Sequence, residues 1–311
     1  MRRKMEFLNE FWLKLIGLLT MTIDHVGYFM LLYAGQDNPM HHVAMVFRII
    51  GRIAFPLFIF MLAEGLHKTH DRGNYLLRLA IFWGTIFGVE IIISMINLGE
   101  FSIRAFSSQA FTDLLAYGLF IFFLEKKGWW KLFSLLPLAF ILLSYVAQVS
   151  EIYADATGAY NPIWTTYFPE WARSGYSLFG FLMFLGMYYA IPFAKKIIKA
   201  TFGTVVDENG QEHLLEDNEI QAHPKYQGLV NVIAITSIVL VTVLFWAIGY
   251  FAPQIDPYFT IAPQSYCVLA CLFILLYNGE RGYRMKWFQY FSYLYYPLHI
   301  VLIALIFMLA F

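Results

Sequence analysis

Apolar runs long enough to cross a lipid bilayer recur along the whole chain, and this feature constrains the fold more than any other. A helix needs about 20 mostly apolar residues to span the hydrocarbon core. Charged residues make up only 14% of the 311 residues, against about 25% in soluble domains. The sequence therefore predicts an all-α, polytopic transmembrane helix bundle that forms a single integral membrane domain over residues 1–311.

About nine segments meet this length requirement, and a count between about eight and ten spans fits the pattern. They cover residues 11–33, 43–66, 75–97, 110–125, 131–150, 175–198, 228–251, 262–277 and 287–310. The fourth and eighth segments are short, which predicts that they tilt little or follow a partly re-entrant path.

The positions of lysine and arginine predict how these spans are oriented. Basic residues cluster in alternate loops, for example within residues 126–131, whereas the opposite loops contain only Arg104 and Arg173. Cytoplasmic loops are enriched in Lys and Arg, so the N-terminus is predicted to be cytosolic. Residues 200–227 are then a cytosolic insertion with a turn signal in DENGQ. Residues 151–174, rich in Trp and Tyr, are an extracytoplasmic loop.

Several classes of function find little support in the residues. The chain has 21 Lys and Arg against 21 Asp and Glu, so no basic excess indicates a nucleic-acid partner. Cys267 and Cys271 lie one helical turn apart in an apolar segment, and a disulfide or metal site would need more ligands. We predict that they pack, and that the chain holds no metal. No internal repeat is visible, which weakens a transporter interpretation.

Ionisable residues inside the predicted spans are the strongest functional signal. Such a group costs roughly 2.5–3.5 kcal/mol on insertion scales and usually faces the bundle interior. The first span contains Asp24 and His25, and the second contains Arg48 and Arg52, one turn apart on one face. Helix rise places all four in the outer half of the bilayer. A pairing of Asp24 with either arginine, serving packing alone, is the simplest interpretation.

The last span adds one more histidine at a similar depth. His299 follows Pro297 by two positions, and helix rise places it about 18 Å from the inner surface, near the midplane. In the second span Pro56 lacks the backbone donor that the Arg52 carbonyl needs, which predicts a kink there. A lone histidine in an apolar helix often serves packing, but this one can reach the depth of His25. We therefore predict that these ionisable groups line one shared polar cavity.

Two histidines, one aspartate and two arginines within a bilayer allow three kinds of function. The first is proton-coupled transport of a small anionic or peptide substrate, with Asp and His as proton carriers. The second is group transfer across the membrane, with a histidine as general base and arginines holding anionic groups. The third is a scaffold in which the polar groups only fix packing. The residues alone leave all three open.

Four stretches, taken in their order and spacing, resemble the TraX family of membrane proteins. They read LKLIGLLTMTIDHVG, FRIIGRIAFPLFIFMLAEGLHKTHDRGNYLLRL, LLYNGERG and FSYLYYPLHIVLIAL. The likeness is dense near both ends of the chain and diffuse in the middle, and GRIAFPLFIFMLAEG is its most specific piece. The chain departs from the family pattern at Asp113, where family members tend to carry an apolar residue.

The resemblance implies a membrane-embedded acyltransferase in a bacterial cytoplasmic membrane, because founding members are linked to N-terminal acetylation of conjugative pilin. The donor would be cytosolic acetyl-CoA or a similar acyl-CoA, and the acceptor an amine or hydroxyl of a peptide or envelope glycan. The catalytic residues implied by this resemblance are His299, His25, Asp24, Arg52 and Arg48. The residues implied to meet the donor at the inner face are Arg281, Arg284, Lys286, Asn278 and Arg78. A proton-coupled exporter is the alternative.

Overall fold

The computed structural model describes residues 6–33, 39–96, 108–158, 162–206, 212–256, 263–283 and 286–310. The fold is all-α apart from one short hairpin. Its helices are α1 Glu10–Tyr33, α2 Pro39–Gly51, α3 Ala54–Lys68, α4 Arg72–Ile96, α5 Gln109–Leu124, α6 Leu135–Thr157, α7 Pro162–Tyr167, α8 Ser177–Phe202, α9 Asp217–Ala222, α10 Tyr226–Phe251, α11 Ala270–Leu275 and α12 Lys286–Ala310. Short 3₁₀ turns are Gly128–Ser134, Glu170–Ala172, Pro253–Ile255 and Gln264–Leu269.

Seven helical stretches in the described part of the chain are long and apolar enough to cross a membrane. They are Glu10–Leu32, Pro39–Lys68, Arg72–Ile92, Gly128–Thr157, Glu170–Phe202, Tyr226–Phe251 and Tyr290–Ala310. Two further apolar helices, Gln109–Leu124 and Gln264–Leu275, are shorter. These two match the fourth and eighth predicted segments, which the sequence also marks as short. The all-α prediction is confirmed, and seven helices of the described ranges are long and apolar enough to span. The predicted count of about nine spans is not confirmed.

The second predicted span is broken where the sequence predicts a kink. Arg52 and Ile53 separate α2 from α3, and their N–H groups donate to carbonyls three residues back, at 3.1 and 3.2 Å. Pro56 explains the break, because its ring nitrogen carries no hydrogen for the Arg52 carbonyl. The break leaves Arg52 buried, with 7% of its surface exposed.

Two glycines let α1 and α2 approach closely, and this approach positions the polar residues of both helices. A Cβ on Gly27 would lie 2.8 Å from the Ala44 carbonyl oxygen and from the Phe47 Cβ. A Cβ on Gly51 would overlap the side chain of Asp24. Since real Cβ atoms do not approach other heavy atoms so closely, only glycine fits either position without movement. α3 follows as the central helix of the bundle, in contact with α1, α5, α8 and α11.

We expect Gly51→Ala to lower the melting temperature of the protein in detergent, because the added methyl group overlaps Asp24. Overpacking of a well-packed core costs about 1–3 kcal/mol. Gly84 in α4 is the matched control, since a Cβ there meets no atom within 4 Å. Gly84→Ala should leave the melting temperature unchanged or slightly higher. Equal melting temperatures for the wild type and Gly51→Ala would contradict the close approach of α1 and α2.

Part of the predicted extracytoplasmic loop, residues 151–174, is helical. α6 continues through residues 151–157 and ends at Gly158, whose positive φ of 70° suits a helix C-terminus. The last part is anchored by Arg173, which is 1% exposed. Its two terminal nitrogens donate to the carboxylate of Glu151 at 2.6 and 2.8 Å, and its Nε donates to the Phe168 carbonyl at 2.6 Å. The segment therefore folds back onto the end of α6.

The predicted insertion at residues 200–227 contains the hairpin that its turn signal indicates. β1 Thr204–Val206 pairs antiparallel with β2 Glu212–Leu214. The DENGQ tip, residues 207–211, lies outside the described residues. Asp217 at the start of α9 accepts a hydrogen bond from Lys195 at 2.7 Å, which holds the pKa of that carboxyl below its usual value. The insertion is thus tied to the end of α8.

Candidate active site

One charge cluster joins α1 to the break between α2 and α3. Asp24 accepts a hydrogen bond from Arg48 Nη1 at 2.5 Å and a second one from Arg52 Nη2. Only 15% of the Asp24 side chain is exposed, against 21% for Arg48 and 8% for Arg52. The predicted pairing of Asp24 with an arginine is confirmed, and the carboxylate in fact binds both. Because two guanidinium groups face one carboxylate, the cluster keeps an excess positive charge.

Arg52 is held in this cluster by two further contacts. Its Nε donates to the Arg48 carbonyl, and its Nη1 donates to Oε1 of Gln264, both at 3.1 Å. Gln264 begins the 3₁₀ turn before α11 and is 3% exposed. Every nitrogen of Arg52 therefore donates a hydrogen bond. Arg48 donates through Nη1 alone to the residues that the structure describes, so it retains donors for a substrate.

The histidines of the first and last predicted spans meet, as the sequence predicts. Nδ1 of His25 and Nε2 of His299 are 3.0 Å apart. Nδ1 of His299 lies 2.8 Å from the Tyr295 carbonyl oxygen, and the Tyr295 ring stacks on the imidazole with centroids 5.1 Å apart. Only 4% of the surface of His299 is exposed. The pair joins α1 to α12 inside the bundle.

These contacts determine which ring nitrogens carry hydrogen in the neutral pair. The Tyr295 carbonyl can only accept, so Nδ1 of His299 must donate to it. Nε2 of His299 then has the lone pair, and it accepts from Nδ1–H of His25. Nε2 of His25 is left with a lone pair and without the proton. The basic nitrogen of the pair is therefore Nε2 of His25.

Two tyrosines connect the histidine pair with the charge cluster. The Tyr296 ring packs against both histidine rings, with centroid distances of 6.3 and 5.7 Å. The Tyr176 ring stacks on Phe55, three residues after Arg52, with centroids 3.5 Å apart. Asp24 of the cluster and His25 of the pair are consecutive residues of α1. Cluster and pair thus form one polar centre, defined as Asp24, His25, Arg48, Arg52 and His299.

Asp113, where the chain departs from the family pattern, holds the turn that carries Tyr176. It is fully buried in α5. Its carboxylate accepts from the Ser174 hydroxyl, from the Tyr176 N–H at 2.9 Å and from the Tyr117 hydroxyl at 3.2 Å. Asp113 therefore serves to order the segment before α8, and it reaches the polar centre only through Tyr176.

A second buried polar cluster lies at the other end of α3. Glu64 is 5% exposed and accepts a hydrogen bond from the Tyr277 hydroxyl. Lys68 Nζ donates to Glu64 at 3.1 Å, to the Tyr277 hydroxyl at 3.1 Å and to the Gly279 carbonyl at 3.0 Å. The cluster joins the end of α3 to the loop after α11. Glu64 lies one turn before the end of α3, and the fold buries it.

A pocket of about 770 Å³ opens beside this second cluster. The loop after α11 contributes to its lining, and the N-terminal segment fixes this loop through three backbone hydrogen bonds. Leu8 N–H donates to the Leu276 carbonyl at 3.0 Å, and Asn278 N–H donates to the Leu8 carbonyl at 2.8 Å. Glu10 N–H donates to the Glu280 carbonyl at 2.8 Å. Three cationic side chains contribute to the pocket lining: Lys68, Lys195 and Arg281.

The predicted donor-binding residues of the loop have different roles. Arg281 lines the pocket and is exposed, and it has no hydrogen-bond partner within the described ranges. Lys68 and Lys195, by contrast, are already bound to carboxylates. Asn278 shapes the loop, because its Oδ1 accepts from the Glu280 N–H at 2.9 Å. Of the three cationic side chains that line the pocket, Arg281 is therefore the one whose hydrogen-bond donors are available to a ligand.

The remaining predicted donor-binding residues lie elsewhere or outside the description. Arg78 is on the exposed face of α4 and does not line this pocket. Arg284 lies outside the described residues. Lys286 begins α12, and its side chain is likewise outside the description. Of the predicted set, the structure brings Arg281 and the loop of Asn278 to the pocket.

Residues 10–104 match the family model described as TraX protein. Over these residues the chain is similar to the TraX family. No curated protein and no solved structure matches it. The TraX region supplies the whole charge cluster and the first histidine of the polar centre. His299 and Gln264 come from the part of the chain beyond this region. The match establishes a family of membrane proteins and by itself names no reaction.

The sequence pattern does not reveal two parts of the buried polar network. Gln264 escapes notice because an uncharged glutamine at the edge of a short apolar segment gives no periodic signal. Glu64 is visible in the sequence, but its partner Tyr277 is far away along the chain. Proximity of Glu64 and Lys68 at one helical turn is the only local signal for this second cluster.

Proposed function

We propose that this protein is a membrane acyltransferase. It moves an acetyl or similar acyl group from acyl-CoA at the cytosolic face to an amine or hydroxyl at or beyond the outer leaflet. The observation that carries the proposal is the 3.0 Å contact of His25 with His299 beside a cluster with excess positive charge. A base with a defined lone pair and a cationic neighbour is what acyl transfer needs.

The proposed reaction uses these groups in a fixed order. Nε2 of His25 takes the proton of the acceptor amine or hydroxyl as that group attacks the thioester carbon. Charge then develops on the carbonyl oxygen, and the free donors of Arg48 stabilise it, a contribution often worth about 3–4 kcal/mol. Asp24 keeps Arg48 in place and limits the net charge. His299 fixes the tautomer of His25 by accepting from its Nδ1–H.

The donor nucleotide is proposed to bind in the pocket at the far end of α3. Phosphate and carboxylate ligands favour arginine, because its planar guanidinium forms paired hydrogen bonds. Arg281 offers such donors, whereas Lys68 and Lys195 line the pocket already paired with carboxylates. Glu64 lies about 18 Å from Arg52 by helix rise, so the extended pantetheine arm would have to run along α3 to reach the polar centre.

The direct test measures acetyl-CoA turnover by the purified protein in detergent, with the release of free CoA as the readout. An acyltransferase should release CoA without any ion gradient, with water or an added amine as acceptor. A proton-coupled exporter, which the hydrogen-bonded histidine pair would also suit as a relay, should need a pH gradient in sealed vesicles. Absence of turnover in detergent together with gradient-driven flux in vesicles would refute the acyltransferase proposal.

We expect Arg281→Gln to raise the KM for acetyl-CoA by about tenfold and to change kcat little, because nucleotide contacts are largely uniform binding. Arg78→Gln is the matched control, since Arg78 is a basic residue outside the pocket, and its KM should equal that of the wild type. The Arg281→Gln, Arg284→Gln double variant should show at least the shift of the single one. If KM stays unchanged in a folded Arg281→Gln protein, the donor does not bind here.

We also propose that the N-terminus is cytosolic and that the pocket faces the cytosol, since the basic clusters of the alternate loops lie on that side. Asn218 of the insertion and Tyr167 of α7 are both exposed. In a variant without Cys267 and Cys271, cysteine at position 167 should react with a membrane-impermeant maleimide in intact cells, and cysteine at position 218 only after lysis. The reverse labelling pattern would invert the orientation and place the pocket on the wrong side for cytosolic acyl-CoA.

A further inference from the structure

Gln264 has a buried hydrogen-bond donor beside the polar centre that no described residue accepts. The side chain is 3% exposed, and its Nε2 is a fully buried nitrogen without a partner within the described ranges. A buried amide N–H without an acceptor is destabilising, and native proteins keep few of them. Each such group in a native structure needs an explanation, and a catalytic role is one of them.

The orientation of this amide is fixed by its neighbour. Arg52 has only donors, so the atom it contacts at 3.1 Å must be the amide oxygen. The two N–H bonds of Gln264 are therefore on the other branch of the amide, directed away from Arg52. The amide nitrogen and oxygen of Gln264 are bonded to the same carbon, so the two N–H donors also lie at the edge of the charge cluster.

The chain of contacts connects this amide to the base. Gln264 binds Arg52, Arg52 binds Asp24, and Asp24 is the neighbour in sequence of His25. Low dielectric strengthens a hydrogen bond at this position, and the donor needs no reorganisation because Arg52 already holds it. These are the properties of an oxyanion-binding donor.

We propose that the Gln264 side-chain amide is a further catalytic residue of this centre, donating a hydrogen bond to the thioester carbonyl oxygen as it becomes negatively charged. The inference rests on the proposed acyl transfer. In that reaction the nucleophile forms a bond to the carbonyl carbon, and the π electron pair moves onto the oxygen facing Gln264. His25 holds the acceptor proton. When the C=O bond re-forms, the C–S bond breaks and the CoA thiolate takes that proton. Gln264 gains and loses none.

The test compares two substitutions with different consequences for Arg52. Gln264→Glu keeps an acceptor for Arg52 but removes the N–H donors and adds a negative charge. Gln264→Met removes donors and acceptor without adding charge. Gln148→Glu is the control, because its amide binds the Ser174 and Gly175 carbonyls in the turn before α8. Acetyl-CoA hydrolysis is measured in detergent for each, together with the melting temperature.

A donor to the oxyanion predicts that kcat falls about 10²–10³-fold in every Gln264 variant that folds, while the KM for acetyl-CoA stays within about threefold of the wild type. Gln148→Glu should lower the melting temperature and keep kcat. A folded Gln264→Glu or Gln264→Met protein with kcat close to the wild type would overturn the assignment while the acyltransferase function stands. A wild-type protein that does not turn over acetyl-CoA would overturn both.

Discussion

His25→Gln should reduce acetyl-CoA turnover by about 10²–10⁴-fold, the range usually lost with a general base. Nε2 of His25 is the one nitrogen of the histidine pair with a free lone pair, so no other ring can take its place. Glutamine has a similar volume and leaves the packing against Tyr296 largely in place. The measurement is kcat for CoA release in detergent, with the melting temperature as the check on folding.

His299→Gln should lose less activity than His25→Gln, because a glutamine oxygen can still accept from Nδ1–H of His25. His42 in α2 is exposed, and His42→Gln serves as the control that should retain full turnover. The order of kcat is therefore expected to be wild type and His42→Gln, then His299→Gln, then His25→Gln. Full turnover in a folded His25→Gln protein would end the general-base assignment and leave the polar centre to packing or transport.

Asp24→Asn should destabilise the protein by about 3–5 kcal/mol, since it leaves the buried guanidinium of Arg52 and the partly buried one of Arg48 without their counter-charge. Arg52 is 7% exposed and cannot turn into water to recover hydration. The loss should be visible as a large drop in melting temperature or in the yield of folded protein from the membrane. Activity should fall as well, because Arg48 is no longer held in place.

Two comparisons separate this effect from a general sensitivity to charge. Asp155 is an exposed aspartate in α6, so Asp155→Asn should change the melting temperature little. The double variant Asp24→Asn, Arg52→Gln should be less destabilised than the sum of its single variants, by about 0.5–3 kcal/mol of coupling. A wild-type melting temperature for Asp24→Asn, or additive losses in the double variant, would show that the ion pair contributes nothing to stability.

Much of the architecture could be read from local sequence. The apolar runs predict most of the long helices to within about four residues, whereas α6 continues seven residues beyond its predicted end. The agreement follows because hydrogen bonding within one helix and its hydrophobic length are both local properties. Pro56 predicts the break at Arg52 because a missing N–H acts on the carbonyl four residues before it. The turn signal in DENGQ predicts a hairpin, and β1 and β2 pair on either side of it.

The composition of the polar centre could be predicted only in part. An unpaired charge in a membrane is costly in free energy, which predicts that Asp24 pairs with the arginines. Helix rise places His25 and His299 at similar depth. The same reasoning does not identify Gln264, because the insertion cost of a charge does not apply to an uncharged amide. It also says nothing about which oxygen or nitrogen of each side chain faces which partner.

The sequence by itself determined the helical class of this protein, the break at Arg52 and the set of charged residues that must converge. Only the tertiary structure decided that Asp24 binds both arginines, that Arg52 holds Gln264 and that His25 is the ring with the free lone pair. The physical reason is the sequence separation over which each kind of interaction acts. Helix formation and the insertion cost of a charge act on residues close in sequence. Hydrogen-bond partners are chosen by the packing of α1, α3, α12 and the turn before α11 in space, which no local pattern encodes.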